Sequence, residues 1–226
     1  AWSPDGKQIV YHSFHNSDWG LYAVDLVTLA ITTVLDQPGV TEGGAVWAPD
    51  GSQLLFQSDA NGNWDLYALD LTTGTVTQVT QGPGSHGSAS VSPDGQCVVY
   101  HANPEGQYDL YLLNLAQPAQ PIRLTDDPGD DQYPVWSPRG DVIAFQAFRS
   151  SWDIYLLDLT TMTTTRLSDG QGINWMPAWA PDGHQIAFAG QFRSSEPVTG
   201  LFITTLLGPE TSSPSSLPGR NLCQRR

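Results

Sequence analysis

The sequence predicts an all-β protein, a β-propeller of four-stranded antiparallel blades, with five repeats and incomplete first and last blades. Three observations carry this reading. A short signature recurs as "WSPDG" from Trp2, "WAPDG" from Trp47, "VSPDG" from Val91, "WSPRG" from Trp136 and "WAPDG" from Trp179, at intervals of 45, 44, 45 and 43 residues. A fixed period of about 44 residues is that of a propeller blade. Between the copies run short segments rich in β-branched, aliphatic and aromatic residues, separated by polar turns.

Each element of the unit has a local reason. In "PDG", proline presets φ at the second turn position, aspartate accepts backbone hydrogen bonds, and glycine supplies the positive φ that starts the next strand. The strand after the turn reads "QIVYHS", "QLLFQS", "QCVVYH", "DVIAFQ" and "HQIAFA". A polar loop of variable length follows. The next strand has an aromatic signature: "WGLYAVDL", "WDLYALDL", "YDLYLLNL", "WDIYLLDL" and a degenerate "TGLFITTL". A further strand closes the first four units, as "ITTVLD", "TVTQVT", "PIRLTD" and "TTRLSD", and the run before each turn, such as "GGAVW" or "QYPVW", makes the innermost strand. Blades pack face to face, so middle strands read as near-continuous apolar runs with large aromatics between blades. One blade cannot bury both its faces, and several around an axis can.

The pattern W-[SA]-P-D-G, then [IVL]-x-[YF], then [WY]-D-[LI]-Y-x-x-D-L, resembles the repeat of TolB-type propellers, a relative of the WD repeat. The resemblance covers residues 2 to about 207, and starts blades near 2, 47, 91, 136 and 179. Residues 1–208 are thus expected to form the propeller, and the Pro/Ser-rich 209–226 a linker or disordered tail. TolB itself resembles a six-bladed ring. Here the first innermost strand is cut to "AW" and the last copy lacks a closing strand, which leads us to expect a piece of a longer propeller protein.

Charge narrows the partners. The formal net charge is −14, and Lys7 is the only lysine. Without Glu210, Arg220, Arg225 and Arg226 of the tail, 22 acidic residues face 6 basic ones, a charge of −16. Such a body is repelled by phosphate backbones and anionic lipid, and suits a neutral or basic partner. No apolar run reaches the ~20 residues of a helical span. Cys97 takes the place of Gln8, Gln53 and Gln185 in sister repeats, and Cys223 lies in the tail. The pair reads as one buried and one incidental thiol rather than a disulfide, and does not give the compartment.

Repetition also decides which carboxylates are scaffold. Asp5, Asp50, Asp94 and Asp182 recur in the "PDG" turns. Asp65, Asp109 and Asp153, with Asp25, Asp70 and Asp158, recur around the aromatic strand. "TDDPGDDQY" crowds Asp126, Asp127, Asp130 and Asp131, a solvated loop or a weak cation candidate. His12 and His101 share a strand-end slot with Gln57 and Gln146, which favours a polar blade position over a metal ligand. There is no nucleophile elbow, HExxH motif or phosphate loop, so neither catalysis nor a cofactor is expected.

The residues that break the template are the binding candidates. Aligned copies put Glu42, His86, Asp131 and Asn174 at one position where the chain enters an innermost strand. Gly43, Gly87, Gln132 and Trp175 follow, then Gly44, Ser88, Tyr133 and Met176. These connections line one mouth of a propeller channel. Tyr133 and Trp175 on a polar rim have the character of binding hot spots, or else they plug the channel. The duplicated "FRSS" adds Arg149 and Arg193 as a second candidate patch.

The expected function is a non-enzymatic module that presents its mouth loops to a protein or peptide. The TolB resemblance implies periplasmic or extracellular work with envelope proteins and carries over no partner-contacting residue. Nucleic acid and direct membrane insertion are not expected. The alternatives are the substrate-gating propeller of a larger prolyl-oligopeptidase-like or tricorn-like peptidase, and a sensor domain of a signalling protein. In either, further domains of the same chain would be partners.

Overall fold

A computed structural model describes residues 1–15, 17–168, 170, 172–192 and 199–206. Arg193 and the expected tail lie outside the described residues. Within them the regular elements are all β-strands, in five antiparallel sheets whose order in space follows their order in sequence.

Blade 1 is β1 (Gln8–His15), β2 (Asp18–Asp25) and β3 (Ile31–Leu35). Blade 2 is β4 (Glu42–Trp47), β5 (Gln53–Ser58), β6 (Asp65–Asp70) and β7 (Val76–Gln78). Blade 3 is β8 (His86–Val91), β9 (Cys97–Ala102), β10 (Asp109–Asn114) and β11 (Ile122–Arg123). Blade 4 is β12 (Asp131–Trp136), β13 (Val142–Phe148), β14 (Trp152–Asp158) and β15 (Thr163–Arg166). Blade 5 is β16 (Gly172–Trp179), β17 (Gln185–Phe192) and β18 (Thr199–Thr205). Ahead of β1, Trp2 makes one isolated antiparallel bridge to Ile9.

The turns behave as their chemistry requires. Gly6, Gly51, Gly95, Gly140 and Gly183 all have φ between 70° and 77°. Asp5 accepts Ser3 Oγ and the Lys7 N–H, and Asp50 accepts the Ser52 hydroxyl and N–H. These bonds hold both carboxyls below the usual carboxylate range. In "WSPRG", where Arg139 replaces the aspartate, Asp141 accepts the Ser137 hydroxyl at 2.9 Å instead. The turn keeps its acceptor by moving it two residues.

Four apolar clusters occupy the four blade boundaries. Val10 and Leu21 of blade 1 pack on Leu54, Phe56, Tyr67 and Leu69 of blade 2. Leu55 and Leu66 then meet Val98, Tyr100 and Leu113. Val99, Leu110 and Leu112 meet Ile143, Phe145 and Leu157, and Ala144 and Ile154 meet Ile186 and Phe188. One position reports each boundary. Leu21, Leu66, Leu110 and Ile154 are at most 1% exposed, because the next blade covers them. Their counterpart in blade 5, Leu201, is 73% exposed, and Ile203 is 65% exposed. The described blades thus form an arc whose last face is open.

Cys97 corrects an expectation. It is fully buried on β9 and disulfide-bonded, not a free thiol. The one other cysteine of the sequence, Cys223, lies outside the described residues. The sequence comparison saw only the buried strand position, which accommodates a half-cystine as well as a thiol.

Truncating Phe145 to Ala should cost about 3–5 kcal/mol in urea denaturation, because its ring is fully enclosed between blades 3 and 4. Leu201→Ala should cost under ~0.5 kcal/mol. Equal losses would mean that the face of blade 5 is covered in solution.

Candidate functional site

Glu42, His86, Asp131 and Asn174 do occupy equivalent positions, each near the start of an innermost strand at the loop end of the arc. They are not on the rim. All four are buried, turned to the boundary with the preceding blade.

Three of the four boundaries join such a residue to a strand aspartate and a hydroxyl of the blade before. Between blades 2 and 3, Asp65 accepts Thr80 Oγ1 and Gln78 Nε2, each at 3.0 Å, while His86 Nδ1 lies 2.8 Å from Asp65 Oδ1. Between blades 4 and 5, Asp153 accepts Ser151 and Ser168 hydroxyls, Arg166 and, at 3.2 Å, Asn174 Nδ2. Between blades 3 and 4 two carboxylates face each other, and each has its own arginine. Arg123 bonds Asp109 at 2.7 Å, and Arg149 Nη2 lies 2.8 Å from Asp131. Burial raises the Asp131 carboxyl to about 6, with Thr125 and Arg149 pulling it down. Asp109 is likewise raised by burial against Arg123.

The boundary between blades 1 and 2 departs from this scheme. Gly20 stands where the strand aspartate should be, and Asp36 stands where the others have Thr80, Thr125 and Ser168. A side chain at Gly20 would meet the Leu35 carbonyl at 3.0 Å and Asp36 Cβ at 3.1 Å. The carboxylate has therefore moved from one strand to the next. Glu42 is completely buried, and neither carboxyl oxygen has a hydrogen-bond partner. Burial pushes its carboxyl up to about 7. The Gln37 backbone pulls it down without reaching good hydrogen-bond geometry, and Asp36, Asp18 and Asp59 add to the rise.

The third aligned position carries the rim. In every complete innermost strand the register shifts by one residue, between Gly43 and Val46, Gly87 and Ser90, Gln132 and Val135, and Trp175 and Ala178. Gly44, Ser88, Tyr133 and Met176 sit in these bulges at φ of 58°, 49°, 52° and 53°. The bulge turns a backbone N–H toward the previous blade. Gln57 Oε1 accepts from Ser88, His101 Nδ1 from Tyr133 and Gln146 Oε1 from Met176, at 3.1–3.3 Å. Burial drives the His101 imidazole down to about 4, so it is a neutral acceptor at physiological pH. The sequence marked this slot as polar and missed its partner, which lies about thirty residues away.

Side chains at the bulges reach solvent. Tyr133 is 36% exposed, edge-on to His101, and Met176 is 56% exposed. Trp175 is half-buried. Two further aromatic pairs crown the same end at hairpin tips: Phe14 on Trp19, and Phe148 on Trp152. Phe14, Trp19 and Phe148 are exposed. Trp19 and Trp152 match the repeat and so did not stand out among the copies.

Two expectations need revision. Arg149 is no free positive patch: it contacts Asp131 and Asp127 and lies over the Tyr155 ring. The aspartates around the Pro-Gly turn are not gathered either. Asp127 meets Arg149, Asp130 accepts the Tyr108 N–H, and Asp131 is buried with Arg149. Among the described residues, no three His, Cys, Asp or Glu side chains converge as metal ligands would.

A family model described as the TolB beta propeller domain matches residues 1–151. No curated protein matches the chain. Among solved structures, TolB from Acinetobacter baumannii superposes with a TM-score of 0.78 at 25% identity, over 90% of this chain and 50% of that one. A putative TolB from Agrobacterium tumefaciens gives 0.74 at 24%, over 90% and 78%. A puromycin hydrolase gives 0.60 at 19%, over 84% of this chain and 32% of that one. The chain thus spans half the length of the Acinetobacter protein.

The raised carboxyls fix a pH dependence. Glu42 and Asp131 bind their protons more tightly folded than unfolded, so their stabilising contribution is full below pH ~4 and is lost toward pH 7. The lowered His101 acts the other way, gaining stability between about pH 4 and 6.5. The two raised carboxyls outweigh it, so thermal unfolding should show a higher Tm at pH 5 than at pH 8. Glu42→Gln should shrink that difference by on the order of 2 kcal/mol. An unchanged pH slope in this variant would mean that Glu42 is ionised in the folded state.

Proposed function

The chain belongs to the TolB β-propeller family, and we propose that it is a non-enzymatic docking module that takes a protein or peptide partner across its loop end. The bulge series carries this reading. The same backbone turn is built with glycine in blade 2, yet blades 4 and 5 place Tyr133 and Met176 there at positive φ, each at a cost of about 1–2 kcal/mol. Strain of that kind concentrates where function holds it. With Trp175 alongside, the exposed side chains are of the type that anchors interfaces. The body charge favours a neutral or basic partner over nucleic acid.

The family likeness supports work in the periplasm or outside the cell. The disulfide at Cys97 supports an oxidising compartment as well. A second reading has one observation in its favour: propellers of this shape form about a third of peptidase chains such as the puromycin hydrolase. On that reading the arc gates a catalytic domain encoded downstream.

The test places a photo-crosslinking residue at position 176 and, as a control, at Asp50 on the opposite end. In cells of the source organism, a partner should be captured from 176 and not from 50. The double variant Tyr133→Ala, Trp175→Ala should weaken binding of the captured partner by about tenfold or more. Undiminished binding would remove the mouth from consideration.

A further inference from the structure

Three of the four described boundaries compensate their buried carboxylates from within the chain. Asp109 has Arg123 and Asp153 has Arg166 with Asn174, while Asp65 has His86 and Asp131 has Arg149 at ion-pair distance without hydrogen-bond geometry. The boundary between blades 1 and 2 has carboxylates and no such base. Glu42 keeps two unpartnered buried oxygens and Asp18 one, while Asp36 is met by the Tyr22 hydroxyl at 3.2 Å. Leaving buried charge uncompensated is costly, so a site like this either holds protons or takes a cation.

The surroundings say which kind of cation. Every described arginine belongs to blades 3 and 4, and Lys7 sits at the "PDG" turn on the far end. A metal ion is poorly served, since Asp18 Oδ2 and Asp59 Oδ1 are occupied by the backbone N–H groups of Gly39 and Thr41. The neighbouring hairpin, by contrast, is aromatic. Trp19, next to Gly20, is packed against His12 and Phe14, and His15 against Tyr22. His12 and His15 are the titratable bases on that side. Exposed Trp19 and Phe14 offer ring faces to a cation beside the carboxylates. The exposed turn Gln37–Gly39 lies close before Glu42 in the chain, on the solvent side of the boundary.

We propose that this boundary receives an arginine or lysine side chain of the docked partner, held between Glu42 and Asp36 and flanked by Trp19. The inserted cation supplies the donor that His86, Arg149 and Asn174 supply at the other boundaries. This rests on the docking reading above and adds the partner's chemistry: a basic peptide segment.

The full chain should be titrated with acetyl-Gly-Arg-Gly-amide and with its citrulline counterpart, the same shape without the charge, following Trp fluorescence at low salt. The arginine peptide should bind about tenfold tighter than the citrulline peptide. Glu42→Gln and Asp36→Asn should each abolish that preference, while Asp126→Asn, at an exposed acid elsewhere, should leave it intact. Equal binding of the two peptides by the unaltered chain would overturn the proposal without recourse to any variant. So would a preference that survives Glu42→Gln, or the same fluorescence change produced by Ca²⁺ alone. The two readings fail separately. A captured partner that needs Tyr133 and Trp175 but is indifferent to Glu42→Gln removes this site and leaves docking in place.

Discussion

The arc is held in register by a backbone N–H that three innermost strands, β8, β12 and β16, turn out of their own sheets. A bulge with positive φ frees it, and a buried donor must find an acceptor. Gln57, His101 and Gln146 supply that acceptor from the blade before. His12 occupies the same place in blade 1, beside Gly43. Apolar packing alone is non-directional and would tolerate sliding between faces. A single hydrogen bond at a fixed height does not. The tautomer of His101 follows from this duty: it must stay neutral to accept, and burial ensures that it does.

The second constraint is charge. The repeat places carboxylates at the loop end of every boundary, in a body with few bases. Arg123, Arg149 and Arg166 are committed to these buried acids and are not displayed for partners. This explains how a strongly acidic chain folds at all, and why its arginines are poor guides to a binding surface. It also gives the exception between blades 1 and 2 its meaning. The exchange of Asp and Thr for Gly20 and Asp36 moves the acid to the next element and leaves it with the Tyr22 phenol as its side-chain donor.

What was legible in the sequence was local. The "PDG" turns, the strand order and the aromatic strand depend on residues within a few positions of each other, and they appear where the period puts them. Alignment of the copies also identified Glu42, His86, Asp131 and Asn174 as equivalent strand positions. It misjudged their exposure, because burial of Glu42, His86, Asp131 and Asn174 is decided by the neighbouring blade. Arg149 looked like a free charge because Asp131 is eighteen residues away, across a strand pair. Cys97 looked like a thiol for the same reason: its partner is not local.

The variation at the mouth can now be divided. At Glu42, His86, Asp131 and Asn174 it is structural, since each residue answers the donors and acceptors of the blade behind it. At Gly44, Ser88, Tyr133 and Met176 the backbone makes the same bulge at positive φ, and Gly44 shows that the turn requires no side chain. A fold selected for stability alone would favour glycine at all four, because glycine takes positive φ without the clash that a Cβ introduces. Tyr133 and Met176 are bulky, exposed and conformationally disfavoured, and the bulge hydrogen bonds they make are ones that glycine would make as well. On the docking reading, these exposed side chains are the ones that face the partner across the mouth.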